Sequence, residues 1–157
     1  MKDDAQRIDL RWSPGPYCPT PGLRPATSRL LPMAKCEEGY LCDVCRGDVE
    51  EITDSDLYLR FVIGLLDPET LHTTRERHLR CNPVLAQFIV DADFPPMTVE
   101  GDFDKRRLDP AYVRERETLV TRGYRRLREV AHLELPIIDY PLPEVRARLE
   151  AESRGPL

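Results

Sequence analysis

Two cysteines stand two residues apart in Cys42-Asp43-Val44-Cys45, and a histidine and a cysteine repeat that spacing in His78-Leu79-Arg80-Cys81. Thiolate and imidazole are the donors that hold zinc, and a two-residue gap lets both members of a pair point at one ion. Two such pairs complete a tetrahedron, provided the stretch between them folds back on itself. Four protein ligands leave no open coordination position, so the implied chemistry is structural. Such a site anchors a fold and names no substrate.

The fourth ligand has two readings. Cys36 stands upstream of Cys42, and the set Cys36, Cys42, Cys45 and Cys81 is one residue off the plant-type [2Fe–2S] spacing. One residue matters in a loop wrapped around a cluster, so zinc ranks ahead of [2Fe–2S], with His78 or Cys36 completing the set. Reduced, buried cysteines that bind nothing are the plain alternative, because Cys is among the most buried residue types. A redox Cys42–Cys45 disulfide fits less well, since no strand–helix thioredoxin context surrounds the pair. Glu76 is the only acid within the second ligand segment, and a metallohydrolase would need it to activate water. Cys18, between Tyr17 and Pro19, has no partner at ligand spacing, and His72 and His132 read as surface residues. No Ser-His-Asp order, phosphate-binding glycine loop or nucleophile elbow occurs.

Arg46-Gly47 follows the first pair, and a glycine there suits the tight turn of a zinc knuckle. A knuckle followed by a ligand pair at the mouth of a helix resembles the treble-clef class of zinc fingers over residues 42–90. That resemblance implies a zinc-finger fold built around a structural metal.

The elements that must position these ligands read as helices. Thr53-Asp54-Ser55-Asp56 has the form of a capping box and opens a helix over Ser55–Leu65 with Leu57, Phe61, Val62 and Leu65 at helical spacing. Asp67-Pro68 pairs a cap with a proline at the first helical position, and Thr74 can cap a turn leading to His78. Asn82-Pro83 repeats the cap and proline, and Val84, Leu85, Phe88 and Ile89 form the stripe of a helix ending near Asp91. Asp109-Pro110 opens the longest helix, to about His132, with Val113, Val120, Leu127 and Ala131 as its stripe. Tyr112, Leu119, Tyr124 and Val130 stand beside that stripe. Pro143 opens a last helix, Glu144–Ala151, while Met97–Glu100 and Leu135–Tyr140 read as short strands. The fold class is therefore a small α-rich domain with a few short strands, stapled by a tetrahedral metal site. Val113, Val120 and Leu127 are expected to pack against Leu57, Phe61, Leu85 and Phe88.

A chain of 157 residues, 41% hydrophobic, has room for one modest core, and its 15 prolines require many loops. The expected organisation is a Pro/Arg-rich arm over residues 1–32, the metal-stapled domain over 33–152 and a tail over 153–157. The arm is expected to be dispensable, and Trp12, the chain's one tryptophan, is the residue that would tie it to the core instead. No window has the length or hydropathy of a membrane span, and no apolar stretch follows the N-terminus as in a signal peptide. Clustered, odd-numbered cysteines without an export signal point to thiolates in a reducing cytoplasm.

The net charge of −5 is unevenly spread: residues 33–100 carry 14 acidic and 6 basic side chains, while Lys105–Arg128 carries nine basic and three acidic ones. Lys105, Arg106, Arg107, Arg122, Arg125 and Arg126 are the candidate contacts for a nucleic-acid backbone, with Tyr112 and Tyr124 available for stacking. Interleaved Glu115, Glu117 and Glu129 favour a solvated helix face instead. The composition thus points to a non-enzymatic metal-binding protein with a protein partner, and to nucleic acid as the rival.

Overall fold

The structure, a computed structural model, describes residues 40–154. The expected arm over residues 1–32, with Cys18 and Trp12, lies outside the described residues, as do Cys36 and the end of the tail. Four α-helices carry the architecture: α1 (Asp56–Val62), α2 (Pro83–Ala86), α3 (Pro110–Val130) and α4 (Pro143–Ser153). Short 3-10 turns connect them, at Ile52–Asp54, Pro68–Thr70, Leu79–Cys81, Gly101–Phe103, Lys105–Arg107 and Ile137–Asp139.

No strand forms among the described residues, and extended pairing is limited to two isolated antiparallel bridges, Leu41 with Asp48 and Ser55 with His78. Both expected strands are thereby corrected. Pro95 and Pro96 precede the first and Pro136 lies within the second, and a proline has no N–H to give a ladder. Residues 97–100 run without regular structure, and Ile137–Asp139 winds into a 3-10 turn.

Helix α1 is shorter than its apolar pattern suggests and starts from a different cap. Ser55, not Thr53, holds the N-cap, its hydroxyl accepting from Tyr58 N–H at 3.0 Å. Thr53 spends its hydroxyl on the Glu51 carboxylate, 3.1 Å away. At the other end Gly64 adopts φ +74°, a left-handed conformation that stops the helix and leaves Leu65 exposed. Helix α2 also falls short, at a single turn. Two buried polar side chains end it. Gln87 Nε2 donates to the Val84 carbonyl at 3.0 Å and to the Phe103 carbonyl at 2.8 Å. Thr121 on α3 accepts from Val90 N–H at 2.9 Å and donates to the Phe88 carbonyl at 3.3 Å. Asn82 does not cap α2 with its side chain. Thr74 likewise reaches backwards, donating to the Thr70 carbonyl at 2.8 Å.

Of the three cap-and-proline pairs, the two with aspartate form side-chain caps. Asp67 accepts from Glu69 N–H at 2.8 Å, and Asp109 accepts from Ala111 and Tyr112 N–H at 3.0 and 2.9 Å. Helix α3 then runs for 21 residues and buries Val120, Tyr124, Leu127 and Val130. Phe61, Leu85 and Phe88 join the same core, with Val113 packed against it from a partly buried position. Leu57 is buried outside that cluster, and Ala131 is exposed beyond the end of α3. Helix α4 closes on α1 through Leu142 N–H, which donates to the Val62 carbonyl at 3.0 Å, and through buried Val145.

The tightest helix contact is at Gly123, where α3 crosses α1. A Cβ at this position would lie 2.2 Å from Ile63 Cγ2 and 3.1 Å from Leu59 Cδ1, both on buried side chains. Replacing glycine within a helix by alanine normally gains about 1 kcal/mol. Here the overlap forces the helices apart, at a cost of about 1–3 kcal/mol or more. Gly123→Ala is therefore expected to lower the urea midpoint, and a raised midpoint would show that α1 and α3 are not in contact here.

Candidate metal centre

The first ligand pair sits in a small knuckle. Val49 N–H donates to the Tyr40 carbonyl at 2.9 Å and Cys42 N–H to the Gly47 carbonyl at 2.8 Å, which folds residues 40–49 into a narrow antiparallel ribbon. Arg46 N–H closes the tip on the Cys42 carbonyl at 2.9 Å. The left-handed residue is Arg46, at φ 63°, and not Gly47. Gly47 instead lies flat beside the site, where an added Cβ would touch Cys45 Sγ and His78 Cε1 at 3.5 and 3.6 Å. Those are ordinary contacts, so the knuckle needs Gly47 neither for a positive φ nor for space, and uses its carbonyl to close the ribbon.

The second pair is placed by a 3-10 turn. His78 is extended, Leu79–Cys81 turns, and Cys81 N–H donates to the His78 carbonyl at 2.9 Å. Side chains three apart in such a turn eclipse one another, so the imidazole and the thiol share one side. The two pairs are also tied through the main chain: Asp43 N–H donates to the Glu76 carbonyl at 2.9 Å, and His78 N–H reaches Cys42 Sγ at 3.5 Å.

Together these turns bring Cys42 Sγ, Cys45 Sγ, Cys81 Sγ and His78 within 4.8 Å of one another, close enough to hold one metal ion. Zinc–sulfur and zinc–nitrogen bonds of about 2.3 and 2.0 Å give tetrahedral edges of about 3.5–3.8 Å, so the four donors would draw together slightly on binding. His78 Nδ1 faces the sulfurs, 3.3 Å from Cys45 and 4.0 Å from Cys81. Its Nε2 lies 3.1 Å from the Asp48 carbonyl. A carbonyl can only accept, so Nε2 carries the proton and the Nδ1 lone pair is left for a metal, the arrangement common to metal-ligating histidines. Cys36, the alternative fourth ligand, lies outside the described residues.

The thiols divide electrostatically. Burial pushes Cys42 up, but the backbone N–H groups of Cys45, His78 and Val44, together with the His78 side chain, outweigh it and bring Cys42 to about 6. Burial holds Cys45 and Cys81 above the usual thiol value, and proximity to Cys42 raises both further. Three crowded sulfurs cannot all become thiolates unaided, and a dication is the group that relieves that repulsion.

Glu76, the acid a hydrolytic reading would need, is committed elsewhere. Its buried carboxylate accepts from Ser55 Oγ at 2.9 and 2.8 Å, from Arg77 N–H at 2.9 Å and from Leu57 N–H at 3.4 Å. It closes the start of α1. His72 and His132 are exposed.

Most of the basic segment is engaged in ion pairs, although among the described residues no acidic partner falls to Arg114, and Arg116 lies over the Tyr112 ring, 6.0 Å from its centroid. Lys105 pairs with Glu117 at 2.6 Å, Arg106 with Asp104 at 2.6 Å and Arg107 with Asp102 at 3.4 Å. Arg122 pairs with Glu144 at 2.8 Å and Arg125 with Asp91 at 2.6 Å, while Arg128 contacts Asp93. Arg126 pairs with Glu129 at 3.2 Å and donates to the Asp139 and Tyr140 carbonyls at 3.0 and 3.3 Å. Of the two tyrosines, Tyr124 is buried edge-on against Phe94, and Tyr112 stands half exposed beside Phe88.

Between the ligand pairs lie the Ile52–Asp54 turn, α1 and the Pro68–Thr70 turn, with no hairpin strands. No family model, curated protein or solved structure matches the chain, so its function has to be argued from the geometry of the centre. No helix among the described residues is long and apolar enough to cross a membrane.

Proposed function

We propose that the chain is a small non-enzymatic zinc protein, its Cys42–Cys45–His78–Cys81 centre structural and its surface used to contact another protein. The observation that carries this reading is the convergence of three thiols and one imidazole within 4.8 Å, with the imidazole oriented by a backbone carbonyl. A Cys3His set of that size suits zinc and fills all four corners of a tetrahedron, which leaves no place for a substrate or an activated water. The knuckle, followed by a ligand pair at the mouth of α2, is treble-clef-like in arrangement. A protein partner is favoured over nucleic acid because Lys105, Arg106, Arg107, Arg122, Arg125 and Arg126, the candidate phosphate contacts, are engaged in ion pairs. Val84, Phe103, Tyr112, Ile137 and Ile138 meanwhile leave apolar area exposed. Thiolates of this kind persist in a reducing compartment, and the cytoplasm is the proposed one.

Elemental analysis of the purified chain is expected to return one zinc per molecule. Cobalt(II) substituted for it should give the intense visible bands of a four-coordinate, thiolate-rich site. His78→Ala should weaken metal binding, while Cys36→Ser should leave it intact. The charge-transfer absorbance of an iron–sulfur cluster would replace zinc with the [2Fe–2S] reading, and loss of zinc in Cys36→Ser would put Cys36 in the place of His78. A cobalt spectrum showing a fifth ligand or bound water would instead favour a catalytic site.

A further inference from the structure

Asp56 has no part in the ligand set, yet it is fully buried at the first turn of α1. Its Oδ1 accepts from Asn82 Nδ2 at 2.7 Å. Its Oδ2 faces Arg60 Nε at 3.2 Å and Arg77 Nε at 3.4 Å. Its backbone N–H donates to the Arg77 carbonyl at 2.9 Å. Arg77 immediately precedes His78, and Asn82 immediately follows Cys81. One carboxylate therefore grips the second ligand pair at both ends. Ser55, the preceding residue, makes an antiparallel bridge to His78 itself and holds Glu76 through its hydroxyl.

Stability alone does not account for a carboxylate in this position. Taking the aspartate fully out of water, with Arg60 and Arg77 only partly covered, costs several kcal/mol, and apolar residues of like size often do as well or better. What a buried charge with directional partners supplies is a fixed register. Here the register fixed is that of residues 77–82 on α1, which sets where the His78 imidazole and the Cys81 thiol stand relative to the knuckle. Partners of this kind outside the ligand set commonly change metal affinity by 10–100-fold when removed.

We infer that Asp56, acting through Asn82 and Arg77, is a positioning residue of the metal centre, so that metal affinity and the ordering of the α1 N-terminus are coupled. The inference rests on the zinc reading above. Coupling of this kind is reciprocal: whatever loosens the Asp56 contacts weakens metal binding, and metal removal loosens the start of α1 by the same factor.

The test uses the full-length chain, cobalt(II) as the probe and a chromophoric chelator as competitor. Asp56→Asn is expected to bind cobalt about 10–100-fold more weakly, with shifted visible bands and an unchanged far-UV circular dichroism spectrum. Asn82→Ala removes the same contact from the ligand side and should act in the same direction. Asp91→Asn, which breaks a carboxylate–arginine pair on α3, controls for general loss of stability and should leave cobalt affinity unchanged. In the wild-type chain, adding chelator should speed amide exchange at Leu57 and Tyr58 well before it does at Val120–Val130. Wild-type cobalt affinity and spectrum in Asp56→Asn would overturn the inference while leaving the metal centre standing. So would collapse of both Asp56→Asn and Asn82→Ala in saturating zinc, since Asp56 would then be holding the core and not the ligands. A chain that takes up no cobalt overturns the metal reading, and this inference with it.

Discussion

Cys42→Ser is expected to give a protein that retains no metal and does not fold cooperatively. Cys42 is the most buried of the four ligands, and its sulfur also receives the His78 N–H at 3.5 Å. Serine is a poor zinc donor, so the substitution removes both a corner of the tetrahedron and the acceptor that joins the two ligand segments. Structural zinc sites contribute about 10–16 kcal/mol to folding at neutral pH, against a total of about 5–15 kcal/mol for an ordinary domain. Residues 40–51 have little else to hold them. Tyr40, Leu41 and Val44 are exposed, and the knuckle reaches the helices chiefly through Glu76 and the ligands. The measurement is metal stoichiometry together with a thermal melt followed by near-UV circular dichroism. A Cys42→Ser protein that melts cooperatively near the wild-type temperature would mean that the thiols pack as ordinary buried cysteines.

The ligand pairs were legible because two-residue spacing is a local constraint: each pair is brought together by a single turn, whatever the rest of the chain does. Caps followed by proline were legible for the same reason, as at Asp67 and Asp109. Misreadings arose where a residue's partner is remote in sequence. Ser55 caps α1 while bonded to Glu76, and Asn82 passes over α2 to bind Asp56, contacts that span 21 and 26 residues. The run Val84–Val90 has a helical stripe, but Thr121 claims the backbone on either side of Ile89 and ends the helix early. The ion pairs of Arg122, Arg125 and Arg128 with Glu144, Asp91 and Asp93 likewise join residues far apart in sequence and gave no local signal. Arg46 in a left-handed conformation had no signal at all, since arginine is not a residue chosen for positive φ.

Metal loading should depend steeply on pH. Its slope follows from the division among the thiols. A metal binds thiolates, so each ligand that is protonated in the free protein must give up a proton on binding, and affinity falls about tenfold per pH unit for each one. Cys42, brought to about 6 by its backbone N–H donors, is already ionised at neutral pH and releases little. Cys45 and Cys81, both raised by burial and by the neighbouring Cys42 sulfur, are protonated there and each release one proton. The apparent affinity for zinc or cobalt is therefore expected to rise about 100-fold per unit between roughly pH 6.5 and 8.5. Below about 6 Cys42 becomes protonated as well, and the dependence should steepen towards about 1,000-fold per unit. The sign is the opposite of the contribution from buried Asp56 and Glu76. Burial raises both carboxylates above their unfolded values, so folding gains relatively as pH falls through the window in which the folded state holds the extra proton. Acid should thus strip the metal while partly relieving the two buried carboxylates. Competition titrations with a chelator across this range, with released protons counted in weak buffer, measure the slope directly. Release of about two protons per metal at pH 7.5 would support the division, whereas release of none would mean that all three sulfurs are thiolates before any metal arrives.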